Sequence, residues 1–199
     1  MGDDDTPIFE IRESNLDSGL RGIPVGTCQT SFVDPIEGVH YVGYPVEDLV
    51  NMEEEDVIYL LFNKRLPTEE ESNDFRAELA HRAEEMPTGA LRVLESLTPG
   101  TGHPMDWLST GILALGISDT TGDLRTDSMN LVARMPELMA RIFHLRGGKK
   151  LQTRDSRPQL GLVENFTHIL GIDGDEAERM NRVLRLSLIH ISEPTRLTR

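Results

Sequence analysis

Apolar residues recur at helical spacing through almost the whole chain after residue 45. Val57, Leu60 and Leu61, for example, fall at positions i, i+3 and i+4 and so lie on one side of a helix. Only 5% of the residues are aromatic while 38% are hydrophobic, so the core has to be mainly aliphatic. This pattern predicts that most of the chain folds as packed α-helices.

Glycine and proline residues divide this helical part into segments. The predicted helical segments are 46–50, 56–64, 67–86, 88–97, 107–117, 124–146, 161–170 and a last helix from 174. Segment 124–146 contains Pro136, which removes one helical hydrogen bond, so the sequence allows either two helices or one kinked helix. Three small residues in segment 107–117 predict close packing against a neighbouring helix: Gly111, Ala114 and Gly116.

The stretch from Ser18 to Tyr44 is the exception to the helical pattern. A short apolar run at 28–33, the sequence DPIEG at 34–38 and a second run at 39–43 indicate strand, tight turn and strand. Gly38 supplies the positive φ that such a turn needs near its end. The predicted fold class is therefore all-α, with one small β-hairpin near the amino terminus.

The hairpin is preceded by a glycine-rich loop that carries one cation. In the sequence GLRG (19–22), Arg21 stands between two glycines. This layout suits a loop whose backbone and guanidinium must both approach an anionic ligand. Arg21 is thus the candidate ligand-binding residue. The sequence contains no P-loop, no dinucleotide-binding GxGxxG motif and no His/Cys/Asp metal cluster, so no metal site is predicted.

The other notable side chains favour structural roles. Cys28, the only cysteine, excludes an internal disulfide and is predicted to be a small buried residue. The acidic run 53–56 is interpreted as a helix N-terminal cap rather than a cation site. His103 is expected to cap or hydrogen-bond at a helix start, and Asp106 and Trp107 are expected to be helix-start and packing residues.

Charge and composition limit the partners and the compartment. The 199-residue chain has a formal net charge of −14, which disfavours non-specific nucleic-acid binding. No apolar run approaches the roughly 20 residues that span a membrane. The acidic start, MGDDDTPIFE, has neither a secretory nor a transit-peptide pattern. These features predict a cytoplasmic protein with no nucleic-acid or membrane partner.

The carboxy-terminal residues are predicted to be foreign to the fold. The string LSLIHISEPTR, residues 186–196, matches one reading frame of a transposase-end adapter used in sequencing-library preparation. The predicted organisation is therefore an acidic segment at 1–17, a helical domain at 18–185 and a non-native tail at 186–199. His190 lies in this tail and is rejected as a functional residue.

Five short sequence motifs occur in a fixed order along the chain. They are the hairpin block with Thr30, Ser31, Asp34, Glu37, Gly38, Gly43 and Tyr44, then RLPTE (65–69), HPM (103–105), RMP (134–136) and ENF (164–166). Together they resemble the amino-terminal half of the large domain of citrate synthases, over roughly residues 18–185. The resemblance implies a partial, multi-helical citrate synthase-like large domain with a small hairpin near its start.

The resemblance also implies an activity. Citrate synthases are acyltransferases that condense acetyl-CoA with oxaloacetate in the tricarboxylic acid cycle, hold no permanently bound cofactor and are homodimers. By motif position Arg21 would contact a phosphate of coenzyme A. The family's catalytic residues lie in the carboxy-terminal half, so none is assigned here and the chain as written is expected to be inactive. Without that half, the apolar side chains of Leu108, Ile112 and Leu115 are expected to be exposed.

Three alternatives remain open. A 2-methylcitrate synthase shares the scaffold and uses propionyl-CoA, and the amino-terminal half does not separate the two enzymes. The chain also fits a non-catalytic helical interaction module that keeps the same scaffold. A third alternative is a regulatory or assembly subunit that pairs with a separately encoded catalytic half.

Overall fold

A computed structural model describes residues 9–17, 19, 21–23, 26–84, 86–148 and 154–189, with the side chains of 186, 188 and 189 left out. The predictions made for 1–8, for Ser18 and Leu20 of the glycine-rich loop, and for 190–199 lie outside the described residues. No helix within the described ranges is both long enough and apolar enough to cross a membrane.

A small antiparallel sheet lies near the amino terminus, after a 3₁₀ turn at Glu13–Asn15. Its strands are β1 (Ser31–Asp34), β2 (Gly38–Tyr41) and β3 (Tyr44–Pro45), in the order β1-β2-β3. In the predicted turn, Asp34 Oδ1 accepts the backbone N–H groups of Ile36 (2.7 Å) and Glu37 (2.9 Å), and Gly38 has a φ of 88°. The predicted hairpin is confirmed, although its strands are shorter than expected and β3 was not predicted.

The other regular secondary structure of the described chain is helical, which confirms the predicted fold class. The helices are α1 (Val46–Leu49), α2 (Glu54–Asn63), α3 (Glu69–Glu84), α4 (Thr88–Glu95), α5 (Pro104–Asp119), α6 (Leu124–Arg146), α7 (Leu162–Leu170) and α8 (Gly174–Ile189). Each corresponds to a predicted segment. The alternative at Pro136 is resolved, because α6 runs through the proline as one 23-residue helix.

Helix α6 is the central element and packs against α3, α4, α5 and α7. Leu138 on α6 is fully buried in a cluster with Leu94, Trp107 and Leu115. A Cβ added at Gly111 would lie only 2.9 Å from Leu138 Cδ1, so the glycine allows α5 and α6 to approach closely. The predicted close packing is confirmed at Gly111. It is wrong for Gly116, around which the structure leaves open space.

The exposed apolar face of α5 differs from the predicted one. Leu115 is buried, and Leu108 and Ile112 pack against the same cluster, because α4 and α6 cover this side of α5. Leu113 and Ile117 are exposed instead, by 68% and 86%. The helices that cover the predicted face belong to this chain, so the expectation of exposed Leu108, Ile112 and Leu115 was wrong.

A buried polar network ties three helices together. Arg134 on α6 is only 4% exposed and forms an ion pair with Asp119 at the end of α5. Its Nε donates to the backbone carbonyl of Arg82 on α3 at 3.3 Å. Asn130 completes the network, since it donates to Asp119 Oδ2 at 3.1 Å and accepts from Arg82 Nη1 at 2.6 Å. The charged groups in this interior therefore have partners from three different helices.

Candidate functional site

Arg21 lies on an exposed turn between two glycines with left-handed backbone. The φ angles are 57° at Gly19 and 76° at Gly22, a region that residues with a Cβ rarely adopt. No atom lies within 4 Å of the Cβ that a substitution would add at either glycine. Arg21 is exposed and forms no ion pair within the part of the chain that the structure describes. The geometry leaves this guanidinium accessible to an anion from solvent, and its role in binding coenzyme A stays a prediction.

Cys28 is exposed and lies before β1, so its prediction as a buried residue was wrong. Its Sγ is 3.3 Å from Thr30 Oγ1 and 3.5 Å from Ser31 Oγ. Hydroxyl donors stabilise a thiolate, and the side chain of Thr30, followed by that of Ser31, lowers the pKa of Cys28 to about 6. The sequence signal for this arrangement was the pair of hydroxyl residues two and three positions after the cysteine.

Alkylation of Cys28 by iodoacetamide is therefore expected to reach half of its maximal rate near pH 6. The reason is that the thiolate is the reactive form of cysteine. Thr30→Val removes the first hydroxyl and is expected to move the midpoint upward, towards the ordinary range of a free thiol. Mass spectrometry of the single-cysteine chain across a pH series measures this directly. A midpoint in the ordinary range for the unmodified chain would contradict the assignment.

The region around His103 has the predicted structural role. His103 is the N-cap of α5, and its Nδ1 accepts the backbone N–H of Met105 at 3.2 Å. Asp106 returns the contact by accepting the backbone N–H of His103 at 2.9 Å, which completes a capping box. Trp107 is buried and donates from Nε1 to the carbonyl of Thr101 at 2.8 Å. His103, Asp106 and Trp107 thus act in helix capping and packing.

The acidic run at the start of α2 has a second partner that the sequence did not reveal. Glu54 and Glu55 lie in the first turn of α2, as the capping interpretation requires, yet they are only 2% and 3% exposed. Glu55 Oε1 accepts the backbone N–H of Leu162 at 2.7 Å, and Glu54 Oε1 accepts that of Val163 at 3.0 Å. The two carboxylates thus satisfy free N–H donors at the start of α7 as well.

Arg185 on α8 supplies the positive charge at this point. Its guanidinium lies 3.0 Å from Glu53 Oε2, 3.0 Å from Glu54 Oε2 and 3.3 Å from Glu164 Oε1. We call Glu53, Glu54, Glu55, Glu164 and Arg185 the acidic junction, because they join α2, α7 and α8. The oxygens of residues 53, 54 and 55 lie within 4.8 Å of one another, as in a metal site. The backbone donors and the guanidinium already occupy this space, so the geometry supports capping.

Gly161, which precedes α7, leaves room for the acidic junction. A Cβ at this position would lie 2.9 Å from Glu55 Oε1 and 3.3 Å from Glu54 Oε1. Gly161→Ala is therefore expected to lower the free energy of unfolding by about 1 kcal/mol. Gly116→Ala is the matched control, because Gly116 lies in α5 with open space around it, and the change is expected to stabilise by about 0.5 kcal/mol. Urea unfolding measures both, and equal effects would contradict the prediction.

Comparison with known proteins identifies the family. The family model described as "Citrate synthase, C-terminal domain" matches residues 19–194 of the 199-residue chain. The chain belongs to the citrate synthase family. The match includes Arg21, the hairpin and the eight α-helices of the described residues, so the family assigned by resemblance is confirmed. It also reaches into the predicted non-native tail, whose origin and boundary stay predictions.

Individual relatives cover most of this chain. Citrate synthase 2 of Bacillus subtilis is 31% identical over a 182-residue alignment that covers 86% of this chain and 48% of the relative. 2-Methylcitrate synthase 1 of Corynebacterium glutamicum is 33% identical over a 164-residue alignment that covers 78% of this chain and 42% of the relative. The crystal structure of a citrate synthase from Thermotoga maritima superposes with a TM-score of 0.70 at 26% identity, covering 86% of this chain and 46% of that chain. The chain thus spans less than half the length of these citrate synthase-family proteins.

Proposed function

We propose that this chain is part of a citrate synthase that condenses acetyl-CoA with oxaloacetate to give citrate and coenzyme A in the tricarboxylic acid cycle. The family match over residues 19–194 carries this proposal. In this reaction a base removes a methyl proton from acetyl-CoA, the resulting enolate attacks the oxaloacetate carbonyl, and water releases coenzyme A. Both substrates are small molecules, and no permanently bound cofactor is required.

Within this reaction the chain contributes scaffold and binding rather than catalysis. We propose no catalytic residue among its positions and assign Arg21 to a phosphate of coenzyme A. An exposed guanidinium on a left-handed glycine turn supports this role, because its donor fork matches phosphate oxygens. The proposed parent is a homodimer, and the exposed apolar side chains of Leu113, Ile117 and Leu124 support such an interface. The single cysteine fits a reducing compartment, and we propose the cytoplasm.

A second candidate function is 2-methylcitrate synthesis, in which propionyl-CoA replaces acetyl-CoA. The observation that favours it is the 33% identity to 2-methylcitrate synthase 1 of Corynebacterium glutamicum. The two reactions differ only in the acyl chain, so a scaffold shared by both serves either of them.

A chimeric enzyme tests the function. Residues 19–185 of this chain replace the matching part of citrate synthase 2 of Bacillus subtilis, and release of the coenzyme A thiol is followed with acetyl-CoA and with propionyl-CoA. We expect oxaloacetate-dependent release by the chimera and none by the isolated 199-residue chain. If the isolated chain released coenzyme A, it would carry catalytic residues of its own. That result would refute their assignment to the carboxy-terminal half of citrate synthases. A folded but inactive chimera would refute the proposed function, and faster turnover of propionyl-CoA would favour the second candidate.

Arg21→Ala in this chimera tests the assigned binding residue. Loss of one guanidinium–phosphate contact is expected to raise KM for acetyl-CoA roughly tenfold while kcat changes little, since the contact exists in both ground and transition states. Arg92→Ala, which removes an exposed arginine from α4, is the matched control and is expected to leave KM unchanged. An unchanged KM in Arg21→Ala would remove Arg21 from the binding site.

A further inference from the structure

A cavity of about 270 Å³ lies next to the acidic junction, between α3, α6, α7 and the loop that precedes α7. Part of its lining is apolar and consists of small residues: Ala80, Ala83, Ala133 and Pro136. A buried water molecule needs only about 15 Å³ of cavity volume, so this space has room for a small organic molecule. We call it the α3–α6 cavity.

Carboxylates outnumber guanidinium groups among the described residues that line this cavity. The charged lining residues are Glu53, Glu55, Glu137, Glu164, Arg76 and Arg185. Three carboxylates of the acidic junction share the guanidinium of Arg185. Arg76 is held by Asp56, whose Oδ2 lies 3.5 Å from Nη2 of Arg76. The cavity therefore attracts cations and disfavours anions.

Glu55 is the carboxylate of this lining that has no cationic partner among the described residues. It is only 3% exposed, and its Oε1 accepts the backbone N–H of Leu162 at 2.7 Å. Its Oε2 makes no hydrogen bond or ion pair with any other residue that the structure describes. Burial and then repulsion from Glu54 raise the pKa of Glu55, and the nearby charge of Arg76 offsets only part of this rise. A buried carboxylate of this kind is stabilised by a cation placed against its free oxygen.

We propose that the α3–α6 cavity binds a short aliphatic diamine, with one ammonium group against Glu55 and the alkyl chain along the alanine residues. An ammonium group is a compact point charge that fits beside a single carboxylate oxygen, whereas a guanidinium group pairs best with two. The second ammonium group is attracted to Glu53 and Glu164, which share the one guanidinium of Arg185. The cavity is too large, and part of its lining too apolar, to be the closed oxygen cage of a metal ion.

Calorimetric titration tests the proposal. The full 199-residue chain is titrated with 1,4-diaminobutane at neutral pH and physiological ionic strength, which screens weak attraction to the acidic surface. The control ligand is 1,4-butanediol, which has the same carbon chain but no charge. We expect the diamine to bind with one-to-one stoichiometry and the diol not to bind. Failure of the diamine to bind, or equal binding of the diol, would overturn the proposal.

Substitutions locate the contact. Glu55→Gln removes the charge but keeps the acceptor for Leu162, and it is expected to weaken diamine binding roughly tenfold or more. Glu70→Gln is the matched control, because Glu70 is an exposed glutamate of α3 outside the described cavity lining, and it is expected to bind like the unmodified chain. Ala80→Leu fills the apolar part of the cavity and serves as the second variant. Equal affinities of the unmodified chain, Glu55→Gln and Ala80→Leu would overturn the proposal, and so would equal weakening in Glu55→Gln and Glu70→Gln.

The site lies outside the proposed synthase reaction, so the two proposals are tested separately. The chimera carries the whole described lining of the α3–α6 cavity, and the same titration is made on it if the isolated chain does not fold. An inactive chimera that binds the diamine through Glu55 would refute the proposed function and leave the cavity proposal intact. An active chimera that does not bind the diamine would do the reverse.

Discussion

Replacing Arg134 by alanine is expected to lower the free energy of unfolding by about 3 kcal/mol. Arg134 is 4% exposed, and the change leaves the carboxylate of Asp119 without its guanidinium partner in a partly buried position. The backbone carbonyl of Arg82 loses its contact with Nε at the same time. This loss of unfolding free energy is at the lower end of the range for broken buried ion pairs, because Asn130 still donates to Asp119 Oδ2.

Urea unfolding followed by the fluorescence of Trp107, the single and buried tryptophan, measures this effect. Arg154→Ala is the matched control. Arg154 pairs with Asp173 through two contacts of 2.6 Å, yet both side chains are exposed, so the loss is expected to be about 1 kcal/mol or less. Equal losses in the two variants would show that burial does not set the strength of these pairs.

Two adjacent glutamates in the acidic junction are expected to respond in opposite directions to the same substitution. Glu54→Gln removes the charge that faces the buried Nε of Arg185 and weakens the acceptor for the N–H of Val163. We expect it to lower the free energy of unfolding by about 2 kcal/mol. Glu55→Gln is expected to raise it at neutral pH, because the amide oxygen still accepts from Leu162 and no ionised group has to be kept buried.

The pH dependence follows from the pKa of Glu55. Burial, and then repulsion from Glu54, raises this pKa above its ordinary value. As the pH falls through the folded-state pKa, native Glu55 takes up a proton before the unfolded chain does, so this group makes the native state more stable on acidification. Glu55→Gln is expected to lack this rise. Unfolding curves of both proteins across the acid range measure whether stability rises on acidification as expected. A Glu55→Gln variant that is less stable than the unmodified chain at neutral pH would contradict the prediction.

Features set by neighbouring residues were predictable from the sequence. The DPIEG turn, the capping box that follows His103 and the helix breaks at glycine and proline all depend on contacts within about four residues. The family resemblance also rested on short sequence motifs of this kind. Arg21 and its two glycines were equally visible in the sequence, although its ligand remains a proposal.

Features set by distant residues were not predictable. Helix α5 carries apolar residues on several sides, so its pattern does not define one stripe, and the covered face is chosen by α4 and α6. The sequence predicted only a local cap for the acidic run of α2. Its further partners could not be predicted because they lie more than 100 residues away, at Leu162, Val163 and Arg185. The sequence predicted a buried Cys28 because an apolar run follows it. In the structure, β1 begins only at Ser31, so Cys28 lies outside the strand.

The acidic junction also has a consequence for the order of folding during synthesis. The hydrogen bonds from Leu162 and Val163 to α2 join residues that are 107 and 109 positions apart. At ribosomal rates, the N–H groups of Leu162 and Val163 are synthesised on the order of ten seconds after the carboxylates of Glu54 and Glu55. During that interval these side chains stay hydrated, and α2 has no charged contact to α7 or α8. In the nascent chain, α2 therefore makes its charged contacts to α7 and α8 only after both of these later helices have been synthesised.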